Sequence, residues 1–215
     1  MKRYSHRGIY NNISIYENTI KSFEATLKSE FNGIEADVRL INDGNAIVYH
    51  DDTLNRLFNI DKVVDGISII ELKSISNEFL LLEDLLSFIK KYDLDCILDI
   101  KNEDYLVIET INTFCKILKV NRNKITLLSW KLRNNLYPFF KIYFATEKEH
   151  LTESEILNIK NYKFNGICMP FTNNNDNTIR KIYKKNLEIN LYFKRYYLKS
   201  FEKSNIRKLV NKITY

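Results

Sequence analysis

The stretch Gly33–Arg56, GIEADVRLINDGNAIVYHDDTLNR, decides how this chain is read. In residues 34–38, Ile34, Ala36 and Val38 alternate with Glu35 and Asp37. Strand side chains change face with a period of two, so the spacing predicts a β-strand with two acids on one inward face. Asn42-Asp43-Gly44-Asn45 then reads as a turn, and the apolar run Ala46-Ile47-Val48-Tyr49 predicts a second strand ending at His50. The N-terminus has a comparable pattern, with Tyr4-Ser5-His6-Arg7-Gly8 closing a short strand-like opening. The chain has only three histidines, and two of them fall at such strand ends.

Outward from this stretch, helical and strand patterns alternate. Ile20, Phe23 and Leu27 share a helical face before the strand at Gly33, which makes one βαβ unit. Leu82, Leu85, Leu86 and Ile89 form a second helical stripe leading to the strand pattern Cys96–Lys101. Val107, Ile111, Phe114 and Leu118 form a third, followed by the apolar run Ile125–Leu128. Thr152-Glu153-Ser154-Glu155 reads as a capping box opening a helix that buries Ile156 and Ile159. Phe164–Met169 reads as a strand, Thr178–Leu187 as a helix and Ile189–Phe193 as the last clear strand. No linker rich in Pro, Gly or Ser interrupts the series.

This order predicts an α/β fold, a compact (β/α)8 barrel with little or no insertion, occupying residues 1–215 as one domain. The 215 residues are 45% hydrophobic and 28% charged, as a single globular domain requires. A net charge of +6 suits an anionic partner, but the basic residues are dispersed, so a plain solvated surface explains them equally well. Cys96, Cys115 and Cys168 are far apart and form no CxxC pair, and they read as buried free thiols in a reducing compartment. With no signal-like segment and no apolar run of membrane-spanning length, the expected location is cytoplasmic.

The pieces Ser5-His6-Arg7-Gly8, Glu17-Asn18-Thr19, Ile34–Val38, Asp43-Gly44, His50-Asp51 with Thr53-Leu54 and Arg56, and Ile100-Lys101 resemble, in order and spacing, the signature of the glycerophosphodiester phosphodiesterase family. The resemblance implies a metal-dependent barrel that hydrolyses a glycerophosphodiester to glycerol 3-phosphate and an alcohol. The residue types fit that chemistry. Glu35, Asp37 and Asp99 offer hard oxygen ligands for a divalent cation such as Mg²⁺ or Ca²⁺. His6 and His50 suit general acid–base work, with the assignment of acid and base left open. Arg7 can hold a phosphate bidentately and Lys101 as a point charge. The matching glutamate in the family belongs to the site's surroundings, which gives Glu17 a supporting role; as a helix N-terminal acid it has a purely structural explanation too.

Several alternatives stay open. Asp99 and Lys101 share a strand face and could be a simple inward ion pair, and His150 reads as a surface residue. The cluster Tyr192-Phe193-Lys194-Arg195-Tyr196-Tyr197 invites a nucleic-acid reading, but closure of the barrel is the preferred one. Three departures from the family stand out besides Asp99 in place of its usual glutamate. The insertion after His50 is short, Phe193-Lys194 stands near the place of a tryptophan common in the last strands, and the chain's ending is reduced to Val210–Tyr215. The expected partner is a small glycerophosphodiester, with transient membrane-lipid contact as a further expectation. The competing functions are phospholipase D-type activity on lysophospholipids or sphingolipids, and an inactive barrel serving as a binding module.

Overall fold

The computed structural model describes residues 1–102, 104–132, 137–193, 201, 202, 204 and 206–215. Its strands, in chain order, are β1 (Lys2–His6), β2 (Gly33–Leu40), β3 (Ala46–Val48), β4 (Leu80–Leu81), β5 (Asp95–Ile100), β6 (Ile125–Ser129), β7 (Lys141–Ala145), β8 (Gly166–Pro170), β9 (Glu188–Tyr192) and β10 (Lys212–Thr214). All of them except β3 and β4 pair in parallel, and β1 bonds both β2 and β10, so eight strands close into a barrel. Between successive barrel strands lie α1 (Ile20–Leu27), α4 (Leu82–Tyr92), α5 (Asp104–Leu118), α6 (Glu153–Asn161) and α7 (Asp176–Lys184), with α2 (Asn55–Phe58) and α3 (Ile69–Ile75) outside the ring.

The expected helices form for the expected reasons. Thr19 caps α1 and Thr152 caps α6, each in a reciprocal capping box that satisfies otherwise orphaned N–H groups. The apolar stripes of α4 and α6 pack into the layer between helices and sheet, where Leu82, Leu85, Leu86, Ile89, Ile156 and Ile159 are buried. Close packing of β2 between β5 and β1 requires Gly33, because a Cβ there would stand 2.3 Å from the Asp95 carbonyl oxygen and 2.8 Å from the Tyr4 ring. All three cysteines are free and buried, and His150 is exposed. No helix among the described residues is long and apolar enough to cross a membrane.

Two barrel strands are additions to the sequence reading. In β7, Lys141 opens a five-residue strand and pairs with Glu188, breaking the apolar run Phe139–Ala145 at the point where the strand begins. In β10 only Ile213 is a strong apolar residue, and the buried first residue is a lysine. Another difference concerns the strand before His50. It is not a barrel stave: β3 folds back antiparallel on the end of β2, pairing Val48 with Val38. The residues from there to β4 form a small excursion over their own apolar cluster, which includes Ile47, Tyr49, Leu54, Leu72 and Phe79.

At the barrel floor, Lys212 is 8% exposed and donates to Thr126 Oγ1 at 2.5 Å, with its ammonium 4.7 Å from the Tyr143 ring centroid. It has no salt-bridge partner among the described residues. Burial pulls its pKa down from 10.5 to about 8, against the pull of Glu188. Keeping it charged below that pH therefore costs folding on the order of 3 kcal/mol. Since the folded pKa lies below the unfolded one, the cost is full below about pH 8 and fades as pH rises towards 10.5. Lys212→Met should therefore unfold at higher urea than the wild type at pH 7, with the gap narrowing between pH 8 and 10. A gap independent of pH would show that the buried charge is not its cause.

Candidate active site

The barrel register puts the singled-out residues at one end. His6 is the partner of Glu35 across β1 and β2, and Asp37 is the partner of Asp99 across β2 and β5. Arg7 follows the end of β1 and Lys101 the end of β5. Alternation along β2 turns Glu35 and Asp37 inwards as expected, and both are buried. The β2–β3 hairpin returns the chain to the same mouth, where the Tyr49 N–H bonds the Asp37 carbonyl at 3.1 Å. His50 thereby joins His6, Arg7, Glu35, Asp99 and Lys101 on a cavity of about 250 Å³.

Arg7 adopts a left-handed backbone (φ 59°), which is uncommon for a residue with a side chain. This turn aims its N–H at the Glu35 carboxylate (3.1 Å) and its guanidinium at Glu17 (2.8 Å), with Nε 3.2 Å from Asp37. Glu17 is held from the other side by Arg56 at 2.6 Å. Asn18, also left-handed, both donates to Asp37 Oδ2 at 2.7 Å and accepts from the Asp37 N–H at 3.2 Å. Lys101 bridges Asp37 (2.9 Å) and Asp99 (2.6 Å). The ion-pair alternative for Asp99 and Lys101 is therefore present in the structure, and it extends to Asp37.

Charge sharing sets the protonation of the three acids. Burial opposes ionisation of Asp37, but Lys101 and Arg7 outweigh it and hold the carboxyl well below the usual carboxylate range. Burial together with Asp37 and Asp99 pushes Glu35 well up. Burial also raises Asp99, against the pull of Lys101. For Glu17, Arg56 and its other donors overcome burial and lower the pKa. Burial first, and then Arg7, bring His6 down to about 4, so its ring is neutral at physiological pH. His50 Nδ1 lies 2.5 Å from Asp51 Oδ1, and Arg56 holds the other Asp51 oxygen at 2.6 Å.

Glu35, Asp37 and Asp99 each place an oxygen within 4.8 Å of the others. Asp37 Oδ1 is buried and faces the Lys101 ammonium at 2.9 Å. An all-oxygen set of three clustered carboxylates is the donor type that a hard divalent cation takes.

Trp130 was not among the residues expected from sequence. Its indole N–H donates to Asp99 Oδ1 at 2.7 Å while Lys101 occupies Oδ2, so both oxygens of the short carboxylate are held. Its signal in the sequence was its position just past the end of β6, the same rule that found His6 and Lys101. Glu147, Tyr192, Phe193 and Tyr215 also line the cavity from strand ends. Of the aromatic cluster near the last strands, Lys194–Tyr197 lie outside the described residues.

Acids, histidines and cations gathered at the strand ends of a barrel form an arrangement suited to phosphate-ester chemistry, and comparison with known proteins gives the family. The model of the glycerophosphoryl diester phosphodiesterase family matches residues 6–212, and the chain belongs to that family. A glycerophosphodiester phosphodiesterase of Bacillus altitudinis is 43% identical over 72 residues, or 34% of this chain and 29% of the relative. An uncharacterized protein of Mycoplasma genitalium is 32% identical over 159 residues, 66% of each chain. The chain thus aligns to under a third of the length of the named Bacillus relative. Similar folds are found in a Thermotoga maritima glycerophosphodiester phosphodiesterase (TM-score 0.80, 21% identity, covering 100% of this chain and 94% of that one). An Oleispira antarctica phosphodiesterase, solved with the product sn-glycerol-3-phosphate, has a TM-score of 0.76 at 18% identity, covering 100% and 92%.

Partners that orient metal-binding carboxylates typically contribute 10- to 100-fold in metal affinity. Trp130→Phe should accordingly weaken Mg²⁺ binding by about tenfold in isothermal titration, with little change in melting temperature in EDTA. Unchanged affinity would show that the Trp130 contact to Asp99 does not serve cation binding.

Proposed function

We propose that residues 1–215 form one catalytic domain that hydrolyses glycerophosphodiesters to glycerol 3-phosphate and an alcohol. The observation that carries this reading is the convergence of His6, His50, Glu35, Asp99, Arg7 and Lys101 on one cavity at the strand ends, with an oxygen of Asp37 within 4.8 Å of those of the two acids. Family membership supports the reaction, and the product bound to the Oleispira relative supports the substrate class.

Glu35, Asp37 and Asp99 would hold a divalent cation, Mg²⁺ or Ca²⁺, whose charge stabilises that gathering on the phosphate oxygens in the transition state. Arg7 and Lys101 bind and orient the phosphate anion, and Glu17 with Arg56 keeps the Arg7 guanidinium in place. His6, neutral through burial and the Arg7 cation, takes the proton of the attacking oxygen as its bond to phosphorus forms. Asp51 fixes the ring of His50 through Nδ1, so Nε2 is the atom that passes a proton to the departing alcohol as its P–O bond breaks. We assign the site to the cytoplasm, with only transient contact to membrane lipid.

Release of glycerol 3-phosphate from glycerophosphocholine should require Mg²⁺ or Ca²⁺ and stop in EDTA. His6→Ala and Glu35→Ala should each lower kcat by about 10² or more. A cyclic phosphate appearing before glycerol 3-phosphate would mark a substrate hydroxyl, rather than water, as the attacking group. A folded, metal-binding protein that releases nothing from soluble glycerophosphodiesters or from lysolipids would refute the hydrolase reading in favour of a binding module.

A further inference from the structure

The floor of the barrel, at the N-terminal ends of its strands, holds a second cavity of about 270 Å³. Among the described residues, four lysines line it against two carboxylates: Lys2, Lys124, Lys141 and Lys212 against Asp95 and Glu188. Five of these six are the first residue of a strand, and Lys124 directly precedes β6. Barrel closure therefore gathers the charges, with Lys2 the register partner of Lys212 across β1 and β10.

Both acids are already committed to other groups. Glu188 accepts from Lys141 through Oε1 at 2.5 Å and from the Tyr143 hydroxyl through Oε2. Asp95 pairs with Lys2 through Oδ2, and its Oδ1 stands 3.9 Å from Lys124, which also holds Asp93 at 2.8 Å. Lys212 is the cation left over, although it is more than nine-tenths buried. An ammonium has three donors, and the Lys212 acceptor among the described residues is Thr126 Oγ1. The Tyr143 and Tyr4 rings lie 4.7 and 5.8 Å from its nitrogen. Ring faces soften the charge without neutralising it.

Lysine is almost never so buried unless it is paired, and the cavity beside it is far larger than the ~15 Å³ that a single water needs. An anion with several acceptor oxygens would answer both the charge and the spare donors of Lys212. We propose that the floor cavity is an anion site for a small phosphate-class dianion, either free phosphate or a phosphate monoester, with Lys212 at its base and Lys2 and Lys124 at its rim. Lysine binds phosphate as a compact point charge. A tetrahedral oxyanion can accept from Lys212 with one oxygen and face the rim lysines with others, which a monatomic anion cannot do. The site is built from the strand ends opposite the active site, and it does not rest on the hydrolase reading.

Melting temperature at pH 7, in chloride and in phosphate at matched ionic strength, tests the site in the wild type and in Lys212→Met. Phosphate at roughly tenfold its dissociation constant should raise the wild type by about 3–6 °C more than the variant. The advantage of Lys212→Met in chloride should shrink accordingly. Phosphate binding at the active-site mouth adds to both proteins alike and drops out of this difference. Lys124→Ala, at the rim, should lose part of the rise without a change to the barrel interior. Glycerol 3-phosphate in place of phosphate separates the two sources: a Lys212-dependent rise with phosphate alone marks the free ion, and one with both marks a monoester site. Equal rises in the wild type and Lys212→Met, no rise in either, or the same Lys212-dependent rise with acetate would each overturn the proposal.

Discussion

The rest of the site depends on keeping Asp37 ionised where no water reaches it. An isolated carboxylate in that position would take up a proton instead of bearing the desolvation cost. Lys101, Arg7 and Asn18 prevent this, and they come from three different parts of the chain. The charge on Asp37 thereby ties the loop after β1, the approach to α1 and the end of β5 onto β2. Removing one partner of such a buried pair commonly costs 3–5 kcal/mol, because the remaining charge is left uncompensated. The charge proposed to hold a cation is also a fastening of the barrel mouth.

The same balance explains why Glu35 and Asp37, two residues apart on one strand, differ so much in character. The cations lie against Asp37, whereas Glu35 receives mainly burial and the repulsion of its neighbours. Three acids with two cations between them form an arrangement that favours additional positive charge. A divalent ion supplies it without a proton, which is why the donor set fits a metal better than it fits its own carboxylates alone.

How much of this was legible in the sequence depended on the range of the interaction involved. Alternation in Ile34–Val38 fixed which acids face inwards, helical spacing found α1, α4 and α5, and a capping box found α6, because each signal is local. The antiparallel course of β3 was not legible, since Ala46–Tyr49 reads alike as a stave or as a hairpin arm. Only pairing of Val48 with Val38 distinguishes them. β10 escaped for a similar reason: three residues led by a lysine become a strand only because β1 and β9 already flank the gap. Trp130 escaped because its partner Asp99 is 31 residues away, although the strand-end rule pointed at its position.

The hairpin has a consequence for the second histidine. His50 arrives from outside the ring, on a segment whose position depends on Arg39. That side chain is almost fully buried on β2, donates to the carbonyls of His50 and Asp51, and pairs with Asp52 and Asp65. A guanidinium can serve this many acceptors at once because its donors form a rigid planar fork. The small excursion over Leu54 and Leu72 therefore does more than fill space: it supplies the acids that keep Arg39 in place, and Arg39 in turn fixes the backbone from which His50 reaches the cavity. His6 is placed by barrel closure and His50 by this clamp, so the two histidines of the site rest on independent supports.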